Sequence, residues 1–472
     1  MKLNKLLKGI DCINNYNYEI TNISCDSRKI KKNGLFIAIK GYNYDGNNYI
    51  EDAIKNGCIT VITDDINVNC DVNIIRVNDS RKALSIISKN FYHDPLKKMK
   101  IIGITGTKGK TTTSFIIKKI LEDNGYKVGL IGTIGNYIGN DKIEDSIRTT
   151  PNSDKLYSLF NKMANNKCDI VIMEVSSQSL KLNRVYGIKY DIGVFTNFSR
   201  DHISKNEHKD IEDYLKSKLK LMDMSDTLII NNDDIIVSKI KKIYKKNIIT
   251  YGIKNKSDIN ANNIIISDTY TKFDIDESYK IDIPGIFSVY NSLCAISACK
   301  YLKCKNINLD NIKVIGRSEM INNELGIPIM IDYAHSPDSL LNILESSKKI
   351  TKGRIICVFG CGGNRDSFKR PIMGDISTSI ADYSIITTDN PRFEDPLSII
   401  KDIESGIKKD NYEIIVDRTE AIKKAIEIST EKDLILIVGK GHETYQEING
   451  IKYPYDERLI IDEICKSKQK VK

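Results

Sequence analysis

No apolar run in the 472 residues approaches the roughly 20 that cross a bilayer, which argues against a membrane-spanning helix. Proline is scarce, at nine residues, and the 28 glycines show no period; together they exclude collagen-like and low-complexity chains. Tryptophan is missing altogether. Ile, Lys and Asn are heavily used, which reads as genomic composition bias rather than function. The 11 cysteines are odd in number and include no CxxC pair; Cys357 and Cys361 come nearest. They read as reduced thiols of a cytoplasmic protein. The N-terminus, MKLNKLLKGIDCINN, has lysines but no long apolar stretch after them, which argues against a cleaved signal peptide.

Charge is only mildly unbalanced: 71 Lys+Arg against 62 Asp+Glu, a net +9 spread along the chain. Lys241, Lys242, Lys245 and Lys246 stand at helical spacing beside isoleucines and read as a solvated helix face. No nucleic-acid partner is therefore expected, whereas small anionic molecules fit. The length suggests two to four domains.

Short continuous Ile/Val runs alternate with helical patterns almost from end to end. Strands are expected at Gly34–Lys40, Ile101–Thr105, Asp169–Glu174, Asp191–Thr196, Thr227–Asn231, Arg354–Gly360, Tyr383–Thr388 and Leu434–Gly439. Helices are expected at Thr111–Asp123, with Phe115, Ile116, Ile120 and Leu121 on one face, and at Asn291–Leu302, Leu397–Ile407 and Ala421–Ile428. The alternation predicts α/β architecture with mainly parallel sheets. Residues 253–282 are polar and alternating, as in an antiparallel excursion. Junctions near Lys100 and Ile315–Gly316 divide the chain into 1–99, 100–315 and 316–472.

Residues 101–114, IIGITGTKGKTTTS, read as strand, glycine-bearing turn and helix. Gly106 and Gly109 let the backbone N–H groups of the turn face an anion, and the helix N-terminus adds its positive end; Thr107 and Lys108, between the glycines, are expected ATP-binding residues. Lys110 can reach phosphates, and the hydroxyl of Thr111, followed by Thr112, can ligate Mg²⁺. The strict GxxxxGK[ST] pattern fails, because Ile104 holds its first glycine position; the shorter GxxGKT is met. Glu174 ends one strand and TNFSRDH, with Asp201 and His202, ends the next, so a hard-cation ligand set is expected at one sheet edge. Of five histidines, His202, His335 and His442 follow expected strands, whereas His93 and His208 read as structural.

TGTKGKTTT, EVSSQSLKLNRV, VFTNFSRDH and DYAHSPDSL resemble the Mur ligases, a three-domain cytoplasmic family that joins amino acids to carboxylates with ATP. The resemblance implies a metal-bridging carbamylated lysine on the helix after the DH motif. EDYLKSKLKLM matches it with Lys218, Lys216 and Lys220 being the competing assignments. The stretch from His202 to His208 is two residues longer than the family's usual spacing. The metal set so implied is Thr111, Glu174, His202 and carbamylated Lys218, with Lys110 as the phosphate-binding catalytic lysine. CDSRKIKKNGLFIAIKGY resembles the family's uridine-binding domain. Cys25, Ser27, Tyr42, Thr149, Thr150, Ser176 and Arg184 match contacts of UDP-MurNAc-dipeptide. Asn291, Arg317, Asp332 and His335 match nucleotide contacts.

GCGGNRDSFKRP, TTDNPRFEDP and VGKGHETYQ each follow an expected strand and should gather at one sheet edge. They resemble the branch that adds the third residue of the stem peptide, and DNPR accompanies meso-diaminopimelate rather than L-lysine. Arg365, Asp389, Asn390, Pro391, Arg392, Gly439 and Glu443 are the implied diaminopimelate contacts. The guanidiniums suit the extra carboxylate and Glu443 the extra ammonium. The implied activity is Mg²⁺- and ATP-dependent addition of diaminopimelate to UDP-MurNAc-L-Ala-D-Glu through an acyl phosphate, by a monomer. An L-lysine-adding ligase, a folylpolyglutamate synthase and an idle nucleotide binder on the same fold are the alternatives.

Overall fold

The computed structural model describes residues 1–42, 44–201, 203–204 and 207–469. The contacts resolve two compact units. One comprises Met1–Asn260 with Leu293–Ile307, the other Ala261–Ser292 with Asn308–Lys472.

The first unit holds two sheets. β1 (Asn22–Ser24), β2 (Gly34–Ile37), β3 (Cys58–Thr63) and β4 (Asn73–Arg76) form a parallel sheet in that order. Leu35 and Ile37 alternate with Phe36, so the sheet packs into separate cores on its two faces. The expected strand at Gly34–Lys40 stops at Ile37, because the chain turns and Lys40 bridges Asp45. The nine-stranded sheet contains β5 (Lys100–Thr105), β6 (Val128–Ile131), β7 (Asn136–Ile138), β8 (Asp141–Glu144), β9 (Ile170–Glu174), β10 (Tyr190–Phe195), β11 (Ser225–Asn231), β12 (Asn247–Gly252) and β13 (Ile259–Asn260). Its order is β13-β12-β11-β10-β5-β9-β6-β7-β8, parallel except for β7 and β8. β5 thus lies between β9 and β10, and their carboxyl ends are neighbours. Helix Lys110–Asp123 buries Ile117 and three threonines as well as Ile116, Ile120 and Leu121, whereas Phe115 is only half-buried. It is enclosed on more than the single face its pattern suggests. Lys241 and Lys242 are exposed on helix Val237–Ile243, which ends before Lys245.

In the second unit, β14 (Asn262–Ile266), β15 (Thr271–Asp274) and β16 (Ser278–Ile281) form an antiparallel sheet; the excursion expected over 253–282 on the central domain is thus antiparallel only from Asn262 on, since Ile259–Asn260 pairs in parallel with β12 in the first unit. β17 (Glu319–Ile321), β18 (Ile329–Asp332), β19 (Ile355–Phe359), β20 (Tyr383–Ile386), β21 (Tyr412–Ile414) and β22 (Leu434–Val438) form a sheet ordered β17-β18-β22-β19-β20-β21. Only β17 is antiparallel. Leu434, Leu436 and Val438 pack under helices Pro337–Ile350, Lys369–Ile380 and Pro396–Glu404. Ile435 and Ile437 face Arg418–Ile428 and Glu457–Gln469. This is a doubly wound α/β layer arrangement. A hairpin, β23 (Tyr445–Ile448) and β24 (Ile451–Pro454), follows β22. Among the described residues no helix is long and apolar enough to cross a membrane.

Candidate active site

The turn after β5 is shaped by two glycines. Gly106 has φ +144°, and a Cβ there would stand 1.9 Å from Thr196 Oγ1. Gly109, at φ +84°, is the left-handed residue that starts helix Lys110–Asp123. The loop after β10 braces this turn. Thr107 N donates to Asn197 O at 2.9 Å, Lys108 N to Asn197 Oδ1 at 2.8 Å, and Thr196 Oγ1 to Lys108 O at 2.6 Å. Lys108 Nζ pairs with Asp201 Oδ2 at 3.1 Å. Lys110 Nζ lies over the turn, 2.9 Å from Gly106 O and 3.0 Å from Thr107 O. Thr112 is buried one residue beyond Thr111. The result is a fixed cradle with a lysine and a helix N-terminus at one strand end, which suits an anion.

Beside it, Glu174 is completely buried at the end of β9. Thr111 Oγ1 donates to its Oε2 at 3.0 Å, Thr133 Oγ1 to the same oxygen at 2.9 Å, and Thr133 N to Oε1 at 2.9 Å. No basic side chain among the described residues pairs with this carboxylate. Hydroxyl and carboxylate oxygens are the donors a small hard cation prefers, so the set fits Mg²⁺. Among the described residues there is no cluster of three His, Cys, Asp or Glu that could hold a metal without further ligands. His202 lies outside the described residues.

Of the three candidate lysines on helix Ile211–Asp223, Lys216 and Lys220 are exposed and Lys218 is buried. Lys218 Nζ donates to Gly106 O at 2.6 Å and stands 4.6 Å from the centre of the Tyr214 ring. Burial, then the Lys110 charge, hold its amine well below the usual lysine range. Tyr214 Oη donates to Thr107 Oγ1 at 3.2 Å, so this helix also supports the cradle. His208 is structural, as its pattern suggested. It is buried, with Nε2 2.9 Å from Ser177 Oγ and Nδ1 3.3 Å from Asp213 Oδ2.

A polar chain runs away from Glu174. Thr150 Oγ1 donates to Glu174 O at 2.8 Å and accepts from Ser176 N at 3.0 Å; Thr149 Oγ1 is 3.0 Å from Thr133 Oγ1. Arg184 Nη1 donates to Thr150 O at 3.3 Å. Cys25 N donates to Asp154 Oδ2 at 3.3 Å, and burial beside that carboxylate pushes the thiol up to about 12. Tyr42 is exposed and lies near Arg184 and Lys181. Ser27 is buried in the turn Ser27–Lys29, where its carbonyl accepts from Asn56 Nδ2 at 3.0 Å; among the described residues its hydroxyl makes no bond to this chain.

In the second unit, Asp332 ends β18 and accepts from Ser318 N at 2.7 Å. Burial pushes its carboxyl up, and nearby Arg317 opposes that. The Arg317 guanidinium stacks 4.6 Å from the centre of Tyr333, whose ring lies 4.5 Å from His335 and 4.8 Å from His442. Asn291 is buried on helix Ile286–Tyr301. The strand order makes β22, β19 and β20 neighbours, so the three motif loops do meet. Gly363 approaches so closely that a Cβ would stand 1.9 Å from Pro391 O. Asn390 Nδ2 donates to Glu443 Oε2 at 2.7 Å, and Asn390 Oδ1 accepts from Lys440 Nζ at 3.1 Å and from Glu447 N at 2.9 Å. Burial pushes the Glu443 carboxyl up, opposed by Lys440. Arg392, at φ +53°, sets Nε 3.2 Å from Glu447 Oε2 and Nη1 2.8 Å from Gly363 O. Asp389 is buried against Gly439, and Arg365 is exposed.

Sequence reasoning missed Thr133, Asn197, Asp154, Lys440 and Glu447. Lys440 lies inside the VGKGHE run and could have been read there as a buried cation beside Glu443. Asn197 lies inside the quoted TNFSRDH run; Thr133, Asp154 and Glu447 carry no local signal.

Three family models match in succession: "Mur ligase family, catalytic domain" over residues 19–92, "Mur ligase middle domain" over 104–299 and "Mur ligase, glutamate ligase domain" over 316–441. The chain is 45% identical to the UDP-N-acetylmuramoyl-L-alanyl-D-glutamate--2,6-diaminopimelate ligase of Clostridium botulinum, over 99% of this chain and 100% of that protein. It is 45% identical to the Clostridium perfringens protein of the same name, with the same coverage. A solved structure of a ligase of that name superposes with a TM-score of 0.69 at 28% identity, covering 99% of each chain. Cradle, buried carboxylate, motif loops and full-length relatives agree: the chain belongs to the Mur ligase family.

Proposed function

We propose that this ligase adds meso-diaminopimelate to UDP-MurNAc-L-Ala-D-Glu at the expense of ATP, in the synthesis of peptidoglycan precursor for the cell wall. The observation that carries the substrate assignment is the Asn390–Glu443–Lys440–Arg392 group, which presents cationic and anionic side chains together on the loops after β20 and β22. Full-length relatives named for the same reaction support it. The three segments 1–99, 100–315 and 316–472 would serve the UDP-linked substrate, ATP and the amino acid respectively. The enzyme would work in the cytoplasm as a monomer.

The γ-phosphoryl group passes to the D-glutamyl γ-carboxylate, and the amino group of diaminopimelate then attacks the acyl phosphate, forming the amide and releasing phosphate. The barrier is the approach of an anionic carboxylate to an anionic phosphate. Lys110 and the N-terminus of helix Lys110–Asp123 offset that repulsion, while the N–H groups of Thr107 and Lys108 are spent on Asn197, whose bracing with Tyr214 holds the alignment. Mg²⁺, when bound, supplies further positive charge to the phosphates. Thr111 and Glu174 would hold it, with His202 and a carbamate on Lys218. Burial shifts the Lys218 amine toward the neutral form, which is the form that adds CO₂, and this supports Lys218 as the carbamylated residue. No side chain need act as nucleophile.

The test is phosphate release from ATP with the UDP-linked dipeptide and each candidate amino acid. Diaminopimelate should drive release far above L-lysine. Preference for lysine would overturn the substrate assignment, and no release with either would overturn the ligase reading.

A further inference from the structure

Three guanidinium groups of the first unit lie near one another: Arg184 Nη1 donates to Thr150 O, two residues from Arg148, and its neighbour Asn183 donates Nδ2 to Asp79 Oδ2 at 3.0 Å, two residues from Arg81. Arg184 is only 8% exposed, and its Nε is buried with no hydrogen-bond partner among the described residues. Arg81, on helix Ser80–Phe91, is half-buried and sends Nη2 to Lys40 O at 2.7 Å. Arg148, on the exposed loop before Thr149, sends Nη1 to Asn152 Oδ1 at 3.2 Å. Among the described residues none of the three has a carboxylate at ion-pair distance. Asp64 and Asp79 lie near Arg81, but their oxygens accept from Ser80, Lys82 and Asn183 instead.

Arg148 and Arg81 add like-charge repulsion to the burial of the innermost group. Burial first, then Arg148 and Arg81, push Arg184 down to about 10. Tyr42 and Cys25 lie near both Arg81 and Arg184, and the Arg184–Thr150 bond ties the cluster to the polar chain described above. Unpaired charge taken from water costs folding free energy. A fold that assembles like charges there, and among its described residues binds all three only to neutral oxygens, presents donors for an anion from outside. The planar guanidinium fork suits phosphate and carboxylate oxygens equally.

We propose that Arg81 and Arg148 join Arg184 in a three-guanidinium cradle for an anionic group of the UDP-linked substrate. The proposal rests on the ligase reading and extends it to two residues outside every recognised motif. Each would be a binding residue, with no part in phosphoryl transfer.

The experiment compares wild type with Arg81→Met, Arg81→Lys and Arg148→Met. Loss of charge-assisted contacts should raise KM for the UDP-linked dipeptide by roughly 10–100-fold for Arg81→Met and about 3–10-fold for exposed Arg148→Met. KM for ATP and for diaminopimelate should stay within about twofold, and Arg81→Lys should recover part of the loss. Tm of the ligand-free variants should hold or rise, because repulsion on Arg184 is relieved. Titration with UDP alone identifies the anion. Weakened UDP binding assigns the diphosphate, and a loss confined to the dipeptide-bearing substrate assigns a carboxylate. Unchanged KM for the UDP-linked substrate in both Met variants overturns the cradle, as does a fall in Tm with all three KM values rising together. Wild type is assayed first. Absence of turnover there sinks the ligase reading, whereas normal wild-type turnover with indifferent variants sinks only the cradle.

Discussion

Arg392→Ala should weaken use of diaminopimelate without disturbing the rest of the reaction. The guanidinium commits Nε to Glu447 and one Nη1 hydrogen to Gly363 O. Its Nη2 and the second Nη1 hydrogen have no partner among the described residues and can take a carboxylate. Breaking a fully buried pair costs about 3–5 kcal/mol, and a charge-assisted hydrogen bond about 1.5–3 kcal/mol. The side chains of Arg392 and Glu447 are 20% and 22% exposed, so solvent screens the interaction and the lower figures apply. Truncation also leaves Glu447 unpaired beside the incoming carboxylate. A loss of about 2–3 kcal/mol, or roughly 30–150-fold in KM for diaminopimelate, is expected. The backbone should hold, because Arg392 N and O bond the hairpin at 3.0 Å to Glu447 O and 2.6 Å from Asn449 N. Arg392→Gly separates side chain from backbone. It loses the same guanidinium but relieves a positive φ, so it should match the Ala variant in KM while being the more stable protein. Steady-state phosphate release, varying one substrate at a time, measures this. A KM for diaminopimelate within threefold of wild type would refute the pairing, and an equal rise in KM for ATP would show general damage instead.

Lys218→Ala should abolish turnover, with partial recovery in added short-chain carboxylic acids that replace the carbamate; normal activity would move the role to another lysine. Burial holds the Glu443 carboxyl above the usual range, so its ionised form is lost at a higher pH than for an ordinary glutamate as pH falls. KM for diaminopimelate should therefore climb on the acid side, and Glu443→Gln should flatten that limb while raising KM throughout. The same shift means burial of Glu443 costs stability at neutral pH, and that cost fades as it protonates. Arg418 is buried with Nε 2.6 Å from Glu457 Oε1 and Nη2 2.9 Å from Val438 O. Arg418→Met strands Glu457 and should cost about 3–5 kcal/mol in urea unfolding, while Arg418→Met with Glu457→Leu should regain most of it. A double variant no better than the single would show that the carbonyl contacts dominate.

What the amino-acid sequence determined by itself was whatever is encoded within one local element. The continuous apolar runs announced doubly covered strands, because a strand buried on both faces cannot alternate. Gly106 and Gly109 announced the tight turn after β5, because the backbone there adopts positive φ. The three motif loops could be assigned to one edge, since parallel strands deliver their carboxyl ends together. Element ends were less legible: helix Pro396–Glu404 begins where the Asp395 side chain accepts from Ser398 N, a cap that periodicity does not register.

Only the tertiary structure decided which lysine goes inside. Lys216, Lys218 and Lys220 are chemically identical, and two residues along a helix turn the side chain to a different face. It alone brought Thr133 to Glu174 across 41 residues and Cys25 to Asp154 across 129. It also gathered Arg81, Arg148 and Arg184 from three separate elements. Partners so distant in sequence leave no periodic or spacing signal, because their meeting is fixed by sheet order and helix packing. Burial, and the displaced titration it causes, is likewise a property of the assembled surroundings rather than of the residue.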